Sequence, residues 1–157
     1  MNDTAWTFAA LFAVFAGANW WSRVGAGRRN VELWSKPLAL IALIAVAVAL
    51  DPVDQLARAW FVVALCCSLA GDVFLLFGDR YFVPGLVAFL LAHLGYTFGL
   101  VAVGDWSTAG FVVGAAIMVG LAATVGVRIV VAAGRKERVL GPAVTGYLLA
   151  ISLMFCA

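Results

Sequence analysis

Four side chains in this sequence combine reactive chemistry with apolar surroundings: Lys36 in WSKPL, Asp72 in SLAGDVFLLF, and His93 and Tyr96 in LLAHLGYTF. An ionisable group in such a run is costly to keep charged, so each needs a partner, a cavity or a reaction. Asp72 is the most demanding. It sits about five residues, about 7–8 Å, from the end of its apolar run, too deep for a short side chain to reach the interface. Desolvation favours the protonated carboxyl, which makes Asp72 a candidate general acid near neutral pH. The alternative is a structural carboxylate, paired with Lys36 or hydrogen-bonded to a neighbouring helix.

His93, the only histidine, lies about eleven residues along the next apolar run, near mid-membrane. Tyr96 follows three residues later on the same helical face. An imidazole beside a phenol can position water or shuttle a proton; a neutral histidine satisfied by one interhelical hydrogen bond is the plainer reading. At the depth of Asp72 the His93 segment offers Gly85 to Phe89, so joint action of the two would need a cavity or a bound water between them. Lys36 can contact a lipid phosphate, neutralise Asp72 or anchor its helix at the interface. Cys66, Cys67 and Cys156 all fall in apolar runs and read as small core residues. No Ser–His–Asp spacing, phosphate loop or zinc motif is present, so neither a serine nucleophile nor a metal or organic cofactor is implied.

The elements that must position these residues are membrane helices. Of 157 residues 66% are hydrophobic and 11% charged, and the mean hydropathy is +1.09, which excludes a soluble domain. Runs such as LALIALIAVAVAL do not alternate, which argues against a transmembrane barrel. The fold class is all-α, a polytopic integral membrane bundle forming a single transmembrane domain over 1–157. Six spans are expected, near 5–21, 36–50, 56–77, 82–103, 108–131 and 140–157. Pro37 is expected to open the second helix, Asp54 to cap the third, and Ser107 or Thr108 the fifth. MNDTAWTF has no basic region, so the first run reads as a retained helix rather than a signal peptide.

Charge placement orients the bundle. Arg23, Arg28, Arg29, Lys36, Arg80, Arg128, Arg135, Lys136 and Arg138 fall on one side and only Arg58 on the other. The basic side is then cytoplasmic, with both termini outside, in what would be a bacterial inner membrane. The short basic clusters suit lipid headgroups and not nucleic acid. Gly95-xxx-Gly99 and Gly110-xxx-Gly114 mark faces for close helix approach, within the chain or in a homodimer.

SKPL at Ser35–Leu38, SLAGDVFLLF at Ser68–Phe77, FVPGLVAFLLAHLGYTF at Phe82–Phe98, and GYLLAISLM with Tyr147 and Met154 resemble the YhhN-like family, whose characterised members are lysoplasmalogenases. The resemblance runs from Lys36 to the C-terminus. It implies an eight-helix membrane hydrolase that cleaves the vinyl-ether bond of lysoplasmalogens, giving a fatty aldehyde and a glycerophospho-ethanolamine or -choline. It puts Lys36, Asp72, His93 and Tyr96 on the family's polar motif positions, with Asp72 the expected catalytic carboxylate; from its own chemistry Lys36 is expected to contact the substrate phosphate. Family members continue into a segment resembling GALLF-x-x-SD with a second intramembrane aspartate, and this sequence ends before it, at Ala157. One carboxyl and one carboxylate would divide proton delivery from water activation; with Asp72 alone, water activation falls to His93 or to no residue. The expected partners are a lysophospholipid substrate and membrane lipids. The rival readings are a small proton- or cation-coupled transporter and a non-catalytic lipid-binding subunit built on the glycine faces.

Overall fold

The computed structural model describes residues 3–24, 29–104, 108–136 and 140–156. Among these there is no strand. Seven α-helical segments follow one another: α1 (Asp3–Val24), α2 (Arg29–Ala49), α3 (Gln55–Leu76), α4 (Phe82–Val103), α5 (Thr108–Leu121), α6 (Val127–Lys136) and α7 (Leu140–Cys156). A π-helical turn, Ala122–Gly126, joins α5 to α6 in one continuous rod, so the segments make six rods. Arg28, Arg138 and the turn at 105–107, with the possible cap Ser107, lie outside the described residues.

The expected count of six spans is too high by length and hydropathy. Four stretches among the described residues are long and apolar enough to cross a membrane: Asn30–Ala49, Gln55–Leu76, Asp79–Val103 and Gly110–Ala132. The first rod has the length, but Trp6, Asn19, Trp20 and Trp21 dilute its hydropathy. The last is apolar but only 17 residues long. The protein is an all-helical membrane protein with four helices long and apolar enough to span.

The second helix also begins earlier than expected. Pro37 does not open it; eight residues, Arg29 to Lys36, are already helical before the proline. Glu32, Leu33 and Lys36 are all good helix formers, so the helix starts upstream and runs through the proline, as membrane helices allow. Lys36 therefore stands two turns up the wall of α2 rather than at its mouth.

The expected cap at Asp54 is present, its Oδ1 accepting from the Ala57 N–H at 2.6 Å at the start of α3. Gly78 (φ 95°) opens the short 3-10 turn Asp79–Tyr81, and Gly104 (φ 80°) ends α4 in the left-handed region.

The rods pack in the order α1, α2, α3, α4, α7, with the α5–α6 rod against α7. What faces inward is chosen by size. The buried residues of α4 are Gly85, Ala88, Ala92, Gly95 and Gly99, alternating three and four apart, while Leu91 and Phe98 are exposed. On α3, Ala57, Ala64 and Gly71 recur every seven residues, as do Leu65 and Asp72. Lipid is as apolar as leucine, so helix association in it comes from close backbone approach. A Cβ on Gly95 would lie 3.0 Å from the Ala64 Cβ, and one on Gly99 3.2 Å from the Phe61 ring. A Cβ on Gly114 would lie 3.3 Å from the Phe155 carbonyl on α7. These glycines of the two spaced pairs therefore make contacts within the chain.

Gly95→Ala should lower stability by about 1–3 kcal/mol, because Ala64 meets it with backbone as well as Cβ. Gly17→Ala, with nothing within 4 Å, should leave stability unchanged or slightly raised. Unfolding of the detergent-solubilised variants compares the two; equal stability at Gly95 and Gly17 would contradict this packing.

Candidate functional site

Asp72 lies one turn before the end of α3 on its buried face, and it is not isolated. Lys36 Nζ on α2 stands 2.6 Å from Asp72 Oδ1. The two helices run antiparallel, and the long lysine stem spans the step between them. Only 10% of the Asp72 side chain is accessible, against 31% for Lys36. The isolated acid expected from the sequence is thus a paired carboxylate, and the alternative reading of a Lys36 partner describes its resting state. A counter-charge is the physical requirement for keeping a carboxylate in such surroundings.

The pair opens onto a cleft of about 530 Å³ between α1, α2, α3 and α4. Its apolar wall includes Phe12, Ala16, Leu40 and Phe89. Its polar lining is Asn19, Arg23, Lys36, Ser68 and Asp72. A second ion pair stands at its edge, Arg23 Nη1 of α1 to Glu32 Oε1 of α2 at 3.2 Å. This pair is more exposed, 67% for Arg23 and 27% for Glu32, and such pairs contribute about 0–1 kcal/mol. Ser35 Oγ donates to Asn19 Oδ1 at 3.5 Å, a further link between α1 and α2.

His93 stands apart from Asp72. Its Nδ1 is 2.6 Å from the Phe89 carbonyl of its own helix; a carbonyl can only accept, so Nδ1 carries the proton. Phe89, one turn earlier, closes the cleft on that side. The His93 ring packs edge-on to Tyr147 of α7, with centroids 5.1 Å apart, and to Tyr96 at 6.4 Å. Tyr96 is the link back: its hydroxyl and Ser68 Oγ are 3.3 Å apart, and either can donate. Ser68 lines the cleft one turn from Asp72. The structure therefore joins Lys36 to Asp72 directly, places Tyr96 one hydroxyl from the cleft, and leaves His93 behind it.

Four residues of this arrangement do not stand out as site residues in the sequence: Asn19, Arg23, Ser68 and Tyr147. Ser68 is the readable one, four residues before Asp72 and so on its face. The other three join through contacts between helices that no local spacing encodes. Among the described residues, no group of three or more histidine, cysteine or acidic side chains could hold a metal ion.

A family model described as the YhhN family matches residues 31–157. No curated protein and no solved structure matches the chain.

Lys36→Met should destabilise the protein by about 1–3 kcal/mol, less than for a fully buried pair because Lys36 is partly exposed. Lys36→Met with Asp72→Leu should recover much of that loss, since neither charge is then stranded. A double-mutant cycle on unfolding in detergent measures the coupling; additive losses would mean the pair contributes no interaction energy.

Proposed function

The chain belongs to the YhhN family, and from that premise we propose that it is a lysoplasmalogenase-like hydrolase, cleaving the vinyl-ether bond of a lysophospholipid. The observation that carries this reading is the cleft: apolar walls for a single chain, ending at Asp72 and Lys36. Vinyl-ether hydrolysis begins with proton delivery to the alkene carbon remote from oxygen, leaving an oxocarbenium ion. Water adds to that ion and loses a proton, and the hemiacetal collapses to a fatty aldehyde and the glycerophospho-alcohol. The net reaction consumes one water, and the acid recovers its proton.

Asp72 in its acid form is the proton donor. The water's proton returns to the Asp72 carboxylate, with Tyr96 and Ser68 placed to orient the water. His93, behind Phe89, supports Tyr96 and Tyr147 by ring packing in the resting arrangement and reaches the water only after a rearrangement of that wall. Lys36 holds the substrate phosphate. In this reading the basic loops face the cytoplasm of a bacterial cell, so the substrate enters from the inner leaflet.

Asp72→Asn should abolish aldehyde release from lysoplasmalogen while the protein still inserts in membranes. Aldehyde detection with purified protein in non-ionic detergent makes the measurement. Full activity in the variant would remove Asp72 from the mechanism, and pH-driven uptake without aldehyde release would favour a transporter.

A further inference from the structure

The cleft carries two cations, and both are already occupied by carboxylates: Arg23 by Glu32 and Lys36 by Asp72. Glu32 and Lys36 are four residues apart on α2 and so lie on one face, one turn from each other. Arg23, held at Glu32, and Lys36, held at Asp72, line the same opening. Exposure falls from the Arg23 pair to the Lys36 pair, so an anion entering from the mouth meets the weakly held cation first. Arginine's planar fork suits a phosphate, and Lys36 supplies a point charge beside it.

We propose that the phosphate of a single-chain lysolipid is gripped between Arg23 and Lys36, displacing Glu32 and Asp72, and that this exchange frees Asp72 to act as the acid. The proposal rests on the hydrolase reading and adds Arg23 as a headgroup-positioning residue, on a helix ahead of the matched residues 31–157. Once Lys36 turns to the phosphate, Asp72 remains between small and apolar side chains without its counter-charge. Bulk solvent reaches it through the open mouth and supplies the proton that the acid step consumes. Glu32 is accessible enough to be solvated when Arg23 leaves it. The acid is thus armed only when a phosphate is in place.

The test separates this exchange from catalysis by measuring binding of an inert probe, an O-alkyl glycerophosphate with a saturated ether chain. Purified full-length protein in non-ionic detergent should bind it more tightly than the matching O-alkyl glycerol or inorganic phosphate. Arg23→Gln should weaken probe binding about tenfold, Arg23→Lys should retain most of it, and Glu32→Gln should tighten it by removing the competitor. A bridge that is only structural would make Arg23→Gln and Glu32→Gln act alike, which would overturn the proposal. Probe addition should also raise the infrared band of a protonated carboxyl, absent in Asp72→Asn; no such band would refute the release of Asp72. Equal effects from inorganic phosphate alone would refute the lipid as ligand. If these binding results hold but vinyl-ether lysolipid yields no aldehyde, the hydrolase reading fails while the exchange stands.

Discussion

A carboxylate surrounded by small and apolar side chains needs a counter-charge, and the meeting of Asp72 with Lys36 at 2.6 Å supplies it. That single contact ties α2 to α3 and sets the inner end of the cleft. It also explains why Lys36 stands two turns inside α2. A helix begun at Pro37 would have left the ammonium on a loop, where solvation competes with pairing. With the helix continued through Pro37, the lysine stem runs along the wall and delivers its charge to Asp72.

Around this pair the helices are held by size rather than polarity. Glycine and alanine face inward on α4, and large apolar side chains face outward. An interface of this kind brings backbones close enough for the hydroxyls of Ser68 and Tyr96 to meet. The same closeness leaves little room at the centre, so the accessible volume opens to the side, between the α1–α2 pair and the α3–α4 pair. The polar groups of the candidate site consequently divide into a cleft set, including Arg23, Lys36, Ser68 and Asp72, and a set behind it, His93 and Tyr147, with Tyr96 between.

Residue chemistry and spacing alone established the all-helical membrane class, the cap at Asp54, and Asp72 as the residue most in need of a partner. These are local properties: hydropathy over a span, a side chain beside its own backbone, and the desolvation of one carboxyl. The start of α2, the division of α1 from the four apolar spans, the choice of Lys36 as the actual partner, and the entry of Asn19, Arg23 and Tyr147 into the site were decided only by the tertiary structure. The reason is that each depends on which helices lie side by side and at what depth, and in an apolar solvent that choice follows the fit of small residues between helices, which no single segment of the chain contains.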